Sequence, residues 1–334
     1  MSAPAPSMYS AAAVRTAERL GLSPGRANLE EFADTLLALA RANRNVVAVT
    51  SDSRGSGKLT PFGQALPAQI VEVGIAEQDL VGVAAGLAAA GKTVFAVSPA
   101  CFLTARALEQ IKDDVAYPDH PVILVGISAG VSYGALGSTH HSLHDLAALR
   151  AINNLTIIAP ADNFETRNAV RAATVAGQPV YLRFGKAPLY DLPPTGEKFE
   201  IGPARRLRDG RDAAFLATGE TVIHALLAAA LLEERDGLQC RVLSVPTIKP
   251  LDTAAILQAA RECRAGLTGE EHMVNGGLGE ACAAVIAQAG IGTRFKIAGL
   301  PDEYTVTGSQ ADIFRHYGLT MEGLAKTMRV LLRA

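Results

Sequence analysis

The sequence predicts an α/β protein made of two consecutive domains, each a mostly parallel sheet flanked by helices. From residue 29 to residue 183, short runs rich in β-branched residues alternate with Ala- and Leu-rich stretches of helical length, which is the order that βαβ units require. The predicted strands are almost wholly apolar, so we expect the sheet to be covered on both faces. The same alternation resumes after residue 203 and predicts the second domain.

The elements of the first domain follow from this alternation. In chain order, the apolar runs predict strands at 45–50, 69–73, 93–97, 121–127, 155–159 and 179–184. The stretches between them predict helices near 29–42, 76–90, 100–116, 142–150 and 163–176.

A proline-rich linker separates this region from the second domain. Residues 186–203 carry four prolines and no sustained periodicity, which is typical of a connecting segment. The expected organisation is a flexible leader over 1–25, a first domain over 26–187, a linker over 188–203 and a second domain over 204–334. In the second domain, strands are predicted at 213–217, 240–245, 272–274 and 294–298, and helices near 221–235, 252–263 and 279–288.

The composition limits the classes of partner. Basic and acidic residues, 31 and 33 in number, are mixed along the chain, so we expect neither nucleic acid nor a membrane surface as partner. No apolar run reaches the length of about 18 residues that a membrane-spanning helix needs. The four cysteines show no metal-ligand spacing. With no secretory signal at the N-terminus, a cytoplasmic location is expected.

A carboxylate follows one predicted strand directly. In VEVGIAEQ, residues 71–78, Glu77 lies in the first turn of a helix at the carboxyl end of a strand. Open α/β sheets place their ligands at this edge. An acid in the first helical turn also complements the helix dipole, so the position alone does not establish a functional role.

Two adjacent histidines lie between a predicted strand and a helix. The segment GALGSTHHSLHD, residues 134–145, contains His140, His141, His144 and Asp145. Adjacent side chains do not both point readily into one core, so at least one histidine is expected to be available for polar contacts. Metal binding by His141 and Asp145 is possible from their spacing, as is helix capping by His144 and Asp145.

Cations lie at the end of the predicted strand 179–184. In YLRFGK, residues 181–186, Arg183 is close to the strand end and Lys186 lies beyond it. A guanidinium group held there could bind a phosphate or carboxylate group. A solvated salt bridge is the alternative.

Taken together, these segments resemble the transketolase family. VEVGIAEQ, the helix that follows it, FLTARALEQIKDDVAYPDHPV, GSTHH, TIIAPAD and YLRFGK occur in this order in the thiamine diphosphate pyrimidine-binding domain of transketolases. The segment GEEHMVNGGLGE, residues 269–280, is similar to their C-terminal domain. The resemblance therefore implies a pyrimidine-binding domain followed by a transketolase C-terminal domain.

The resemblance implies a role for each matched residue. Glu77 is expected to hydrogen-bond the pyrimidine ring of thiamine diphosphate and to promote acid–base chemistry through it. Phe102 matches the aromatic residue that stacks on that ring, and Asp52 matches an acid that reaches the cofactor. His140 matches a catalytic histidine in the sugar channel.

The residues expected to contact substrate extend beyond His140. Ser56 and Arg183 match residues that hold a substrate phosphate group, and His141 follows His140 in the same loop. Leu136 and Ser128 stand where familiar transketolases carry an acid and a histidine. Because both polar groups are altered, we expect a ketose and aldehyde pair outside the usual one, with the cofactor chemistry retained.

The sequence lacks the other half of a thiamine diphosphate site. Thiamine enzymes bind Mg²⁺ and the diphosphate through a Gly-Asp-Gly motif with a downstream Asn, and GDG does not occur in this chain. No residue of this chain is therefore predicted to bind metal. We expect an N-terminal transketolase subunit to supply the motif, in an α₂β₂ assembly that transfers a two-carbon ketol unit.

Three alternatives remain open at this point. The β subunit of a 2-oxo-acid dehydrogenase has a similar length and a similar glutamate, although the Thr-His-His loop disfavours it. A non-catalytic scaffold subunit could keep the fold without the activity. A fragment of a deoxyxylulose-phosphate synthase is the third.

Overall fold

The computed structural model describes residues 8–194, 196 and 198–333. The first half consists of helices and strands that alternate as the sequence predicts. In chain order they are α1 (Ala11–Arg19), β1 (Pro24–Ala27), α2 (Asn28–Ala42), β2 (Val46–Thr50), α3 (Thr60–Ala65), β3 (Ile70–Glu72), α4 (Glu77–Ala89), β4 (Thr93–Pro99), α5 (Ala100–Arg106), α6 (Leu108–Gln110), β5 (Val122–Ile127), α7 (Asp145–Arg150), β6 (Thr156–Ile158), α8 (Asn163–Ala173), β7 (Val180–Phe184) and β8 (Pro188–Tyr190).

The second half repeats the alternation. Its elements are β9 (Arg205–Arg208), β10 (Ala213–Ala217), α9 (Thr221–Asp236), β11 (Cys240–Ser244), β12 (Thr247–Lys249), α10 (Thr253–Glu262), β13 (Ala265–Met273), α11 (Leu278–Gln288), β14 (Arg294–Leu300), α12 (Gln310–Tyr317) and α13 (Met321–Arg333). No helix among the described residues is both long and apolar enough to cross a membrane.

The first sheet is parallel apart from one edge strand. Within the described residues its order is β12-β6-β7-β5-β4-β2-β3, and only β12 pairs antiparallel to its neighbour. Alternate residues of β2 belong to different cores: Val47 and Val49 pack with α4, whereas Val46 and Ala48 pack with α2. The sheet is thus covered on both faces, as its continuous apolar strands predict.

The second sheet has the order β14-β13-β10-β11-β9 over the described residues, with only β9 antiparallel. Its β13 strand is longer than the sequence predicts, since it covers Ala265–Met273 instead of 272–274. The reason is that polar residues, among them Glu270 and His272, are buried in this strand and hide its apolar pattern. Glu270 accepts the backbone N–H groups of Leu278 and Gly279 at 2.7 and 2.8 Å.

Part of the predicted leader is folded. Residues 1–7 of the predicted leader lie outside the described residues. Helix α1 follows them, and its Ala13 and Ala17 are buried in the same core as α9. Strand β1 pairs antiparallel with β8 of the predicted linker, and the rings of Tyr9 and Tyr190 lie 4.9 Å apart. The prediction of a flexible leader is therefore wrong for α1 and β1, whose packing partners lie far away in the sequence.

Two further differences concern the first domain. The predicted helix 100–116 is divided into α5, α6 and a π-helical turn, Ile111–Ala116. Strand β12 belongs in sequence to the second domain, but it pairs with β6 of the first sheet. The two domains therefore share hydrogen bonds between strands.

Candidate active site

The carboxyl edge of the first sheet brings the predicted residues together. Asp52 and Ser56 follow β2, Glu77 follows β3, Phe102 follows β4 and Ser128 follows β5. Because the strands are parallel, these segments meet at one edge of the sheet, where α/β folds bind ligands.

Glu77 is a buried carboxylate at the first residue of α4. Glu77 is 4% exposed, and Arg106 Nη1 donates a hydrogen bond of 2.9 Å to Glu77 Oε2. The Arg106 side chain is 50% exposed. The N-terminal end of a helix dipole and a nearby cation both suit a carboxylate at this position. The contact with Arg106 uses Oε2 of Glu77 and not Oε1.

The aromatic ring of Phe102 lies next to this ion pair. The guanidinium carbon of Arg106 lies 4.4 Å from the centroid of the Phe102 ring. His140 packs on the same ring with a centroid distance of 5.4 Å and a T-shaped geometry. Arg106 thus connects Glu77 to the Phe102 ring, and Phe102 in turn contacts His140.

His140 is in contact with a second aromatic residue. The Tyr133 ring lies 5.6 Å from the His140 ring, again with a T-shaped geometry. His140 Nδ1 lies 3.0 Å from Thr139 Oγ1. Since Thr139 is close to Nδ1, Nε2 is the ring nitrogen left for a ligand.

Tyr133 also lies between Ser56 and Ser128. Burial raises the pKa of the Tyr133 phenol, while the hydroxyl groups of Ser128 and Ser56 lower it as hydrogen-bonding neighbours. The buried Ser128 hydroxyl makes no hydrogen bond of normal geometry in the described structure, so its contact with Tyr133 is poorly aligned. Ser128 is thus a fully buried hydroxyl group without a well-aligned partner.

Two loop residues at this edge have unusual backbone angles. Asp52 and Ser128 have φ values of 51° and 55°, which residues other than glycine seldom adopt. Such strain is concentrated at functional sites. Asp52 is exposed, and its backbone N–H donates to Glu72 Oε1 at 2.6 Å, so a carboxylate of the neighbouring strand fixes the turn.

Lys186 is a cation of this site that the sequence reasoning did not select. Its Nζ lies 4.4 Å from the Tyr133 ring centroid. Burial lowers the pKa of Lys186, and the nearby charge of Lys58 lowers it further. The available signal was its place directly after a strand, shared with Ser128 at the same sheet edge. The positive potential of Lys186 and Lys58 suits an anionic ligand.

Arg183 is held by partners within the chain. Its Nε donates to Asp145 Oδ2 at 2.8 Å, and its Nη2 donates to the carbonyl oxygens of Ser142 and Glu271 at 3.1 and 2.9 Å. Burial lowers the pKa of Arg183, but the Asp145 carboxylate outweighs this effect and raises it. Arg183 is thus a buried cation whose Nε and Nη2 are engaged within the chain, and its predicted contact with a substrate phosphate group stays a prediction.

His141 differs from His140 in its surroundings. His141 is buried, and its two ring nitrogens lie 2.7 Å from Thr305 Oγ1 and 2.9 Å from the Gly134 carbonyl oxygen. It has no ring nitrogen left for substrate, contrary to its predicted contact. Asp145 is likewise engaged with Arg183. Among the described residues, no group of three or more His, Cys, Asp or Glu side chains is arranged to hold a metal ion.

Leu136 lies on the other side of the loop that carries His140. It is the last residue of a 3₁₀ turn, Gly134–Leu136, and is 56% exposed. A single exposed apolar side chain is common on protein surfaces, so the exposure of Leu136 alone assigns no ligand to it.

Comparison with known proteins identifies the family. The family model described as transketolase, pyrimidine binding domain, matches residues 26–190, and the one described as transketolase, C-terminal domain, matches residues 202–324. The chain belongs to the transketolase family. It is 48% identical over 299 residues to an apulose-4-phosphate transketolase subunit of Phocaeicola vulgatus, covering 89% of this chain and 95% of the relative.

Two further members of the family are similar over most of their length. The 6-deoxy-6-sulfo-D-fructose transketolase subunit SqwH of a Clostridium species is 33% identical over 297 residues, which cover 89% of this chain and 92% of the relative. A solved structure titled split gene transketolase, inactive beta4 tetramer, superposes with a TM-score of 0.82 at 32% identity, covering 92% of this chain and 99% of the other. In these relatives the same pair of domains thus forms one subunit.

Proposed function

We propose that this chain is the C-terminal subunit of a split transketolase and transfers a two-carbon ketol unit together with an N-terminal partner subunit. The observation that carries the proposal is the group formed by buried Glu77, Phe102 and His140 at the carboxyl edge of the sheet. The subunit names of the relatives support the division into two chains.

The residues present fit one end of thiamine diphosphate. Glu77 offers a carboxylate acceptor in a buried position, and Phe102 offers an aromatic face beside it. Both suit the flat, nitrogen-containing pyrimidine ring. The sequence holds no Gly-Asp-Gly motif for the diphosphate and Mg²⁺, so we assign these to the partner, in an α₂β₂ assembly. When bound, the cofactor supplies the carbon nucleophile that ketol transfer needs.

Each residue of this chain has a separate task in the proposed reaction. Glu77 orients the pyrimidine ring and exchanges a proton with it. His140, through Nε2, hydrogen-bonds the oxygens of the sugar and moves a proton at the reacting hydroxyl. Ser56 and Ser128 offer hydroxyl groups to the substrate, and Asp52 is expected to meet the cofactor from the exposed end.

The proposed substrate is a phosphorylated ketose outside the usual pentose phosphates. Lys186, whose Nζ lies over the Tyr133 ring, is the cation of this chain that we assign to the phosphate group, since Lys58 is paired with Glu30 at 3.1 Å. Leu136 stands where familiar transketolases carry an acid, so the acceptor for a substrate hydroxyl group is missing at this position. Because a relative with 48% identity is named for apulose 4-phosphate, we propose this compound as the first donor to test.

Calorimetry with thiamine diphosphate and Mg²⁺ tests the split site. We expect weak binding to this chain alone and tight binding after addition of a separate chain that carries Gly-Asp-Gly. The complex should then consume apulose 4-phosphate when an aldose phosphate is supplied to accept the two-carbon unit. Tight, Mg²⁺-dependent binding to the chain alone would refute the division of the site.

The same complex distinguishes the competing functions. A 2-oxo-acid dehydrogenase β subunit would support oxidative decarboxylation of a 2-oxo acid instead of ketol transfer. A scaffold subunit would support neither reaction.

A further inference from the structure

The loop of residues 128–142, the site loop, carries Ser128, Leu136 and His140, and it contacts the second domain at several positions. The backbone N–H of Val131 donates to Glu271 Oε1 at 2.8 Å. At Gly134, with a φ of +51°, a Cβ atom would meet the carbonyl oxygen of Gly308 at 2.9 Å. The second domain therefore fits closely against the backbone of the loop.

Thr305, in the loop between β14 and α12, makes the most extensive contact with the site loop. Thr305 Oγ1 lies 2.7 Å from His141 Nδ1 and 3.0 Å from Ser138 Oγ, and the Thr305 backbone N–H donates to Ser138 Oγ at 3.0 Å. These partners lie 164 and 167 residues away along the chain. One residue of the second domain thus binds both residues that flank Thr139 and His140.

The chemistry of the partners fixes the position of each proton. A carbonyl oxygen only accepts hydrogen bonds, so His141 Nε2 must carry the proton that points to the Gly134 carbonyl oxygen. Burial lowers the pKa of His141, which keeps the ring neutral and leaves Nδ1 as an acceptor. Thr305 Oγ1 therefore donates to His141 Nδ1 and accepts from Ser138.

The resulting network is closed. Ser138 Oγ accepts a hydrogen bond from the Thr305 backbone N–H and donates one to Thr305 Oγ1. Thr305 Oγ1 in turn donates a hydrogen bond to His141 Nδ1. Each hydroxyl group is used as both donor and acceptor. A network in which every member is satisfied fixes a single geometry.

We infer that Thr305 is a positioning residue, which sets the substrate affinity of the site by holding the site loop through His141 and Ser138. This inference rests on the proposed function and gives the second domain a part in it. The effect reaches the substrate through His140 and Leu136, which lie on the loop segment between and beside the two anchored residues. Glu77, Phe102 and Arg106 lie on α4 and α5, outside the site loop.

Three substitutions separate this role from a general loss of stability. Thr305→Val keeps the size of the side chain and removes the hydroxyl group, and Thr305→Ser keeps the hydroxyl group. Thr293→Val is the matched control, because the buried Thr293 hydroxyl has no partner in the described structure. Long-range ¹H–¹⁵N spectra of the full chain should show His141 as the neutral Nε2–H form, with a Nδ1 resonance that shifts in Thr305→Val alone.

Activity is measured on the complex with the N-terminal subunit, thiamine diphosphate and Mg²⁺. For Thr305→Val we expect the KM for apulose 4-phosphate to rise about 10-fold or more, since small displacements of positioning groups have effects of this size. Exchange of the cofactor C2 proton should stay at the wild-type rate. Thr305→Ser should return KM to within about threefold of wild type.

The two readouts fail independently. An unchanged His141 resonance in Thr305→Val overturns the inference whatever the activity. A shifted resonance with an unchanged KM would mean that Thr305 has only a structural role. If C2 exchange in Thr305→Val slowed as much as KM rose, the effect would not be confined to the site loop and the inference would be overturned. A wild-type complex that does not consume apulose 4-phosphate refutes the proposed substrate, whereas the His141 spectrum still tests the network.

Discussion

The guanidinium group of Arg106 lies 2.9 Å from the carboxylate of Glu77, with the cation half-exposed and the acid buried. The contact uses only Oε2 of Glu77, so Oε1 remains for a hydrogen bond to a ligand. The cation also lies over the Phe102 ring. One side chain at the mouth of the site thus fixes both groups that we assign to the cofactor.

The first prediction concerns Glu77. In the complex with the N-terminal subunit, Glu77→Gln should lower turnover about 100-fold or more, as loss of a positioned acid–base group does. Exchange of the C2 proton of thiamine diphosphate, followed by NMR, should slow in parallel. Asp79→Asn is the control, because Asp79 is an exposed acid in the same helical turn. Wild-type exchange in Glu77→Gln would refute the assignment.

Lys186 should matter for substrates that carry a phosphate group. A charge-assisted hydrogen bond contributes about 1.5–3 kcal/mol, so Lys186→Met should raise the KM for apulose 4-phosphate by about 10- to 100-fold, with less effect on kcat. Lys112→Met, at an exposed lysine on the π-helical turn, should leave the kinetics unchanged. Equal effects of the two substitutions would mean that Lys186 does not bind the phosphate group.

Arg183 should affect stability more than affinity. Arg183→Leu leaves the Asp145 carboxylate buried without its cation, which typically costs about 3–5 kcal/mol. Chemical denaturation of the full chain measures this loss. Arg19→Leu, which removes an exposed cation from its contact with the exposed Glu234, should cost about 1 kcal/mol or less. A stable Arg183→Leu variant with a raised KM would restore the role of phosphate ligand.

Leu136 should determine which sugars are accepted. Leu136 offers no acceptor to a substrate hydroxyl group, and a hydroxyl that the assembled complex buries there without a partner costs about 1–3 kcal/mol. The wild-type complex should therefore handle xylulose 5-phosphate with ribose 5-phosphate poorly. Leu136→Asp should improve turnover of this pair. Efficient wild-type turnover, or no gain in the variant, would show that the position does not redirect specificity.

Two buried carboxyl groups should make stability depend on pH. Burial and the charge of Glu271 raise the pKa of Glu220 from 4.5 to about 8, and burial raises the pKa of Glu271 to about 7. Gln310 Nε2 donates to both groups, at 2.6 and 2.9 Å. The folded chain therefore binds more protons than the unfolded chain between pH 4.5 and about 8.

Stability should consequently fall as pH rises through that window, by up to about 1.4 kcal/mol per pH unit for each proton. Glu220→Gln keeps an acceptor for Gln310 and removes one titration, so the fall should become shallower. Glu234→Gln, an exposed acid on α9, is the control. Identical slopes of unfolding free energy against pH in wild type and Glu220→Gln would contradict the assignment.

Local sequence patterns predicted the first sheet, whereas the roles of the site residues came from the family resemblance and stay predictions. The strand before Glu77 and the helix after it are recognisable because their apolar and small residues are contiguous. The distinction between Arg183 and Lys186 was not predictable in this way, since Arg183 lies at the end of the same apolar run that Lys186 follows. It depends on Asp145, whose carboxylate reaches Arg183 across 38 residues of sequence.

The second domain shows the same limit. Strand β13 contains buried Glu270, Glu271 and His272, whose partners lie on other elements. In the sequence alone, polar residues of this kind are typical of loops. Helix α1 was missed for a related reason, because its Ala-rich composition acquires meaning only against α9.

Strand β12 has a consequence for dividing the molecule. A protease that cut the segment 191–203 would not release two independent halves, because Thr247 and Lys249 would still pair with β6 of the first sheet. A truncation that ended there would expose β6 as an unprotected edge, which invites aggregation. Any exchange of the C-terminal domain between members of the family must therefore bring a strand that matches the recipient's β6, as well as a domain that folds.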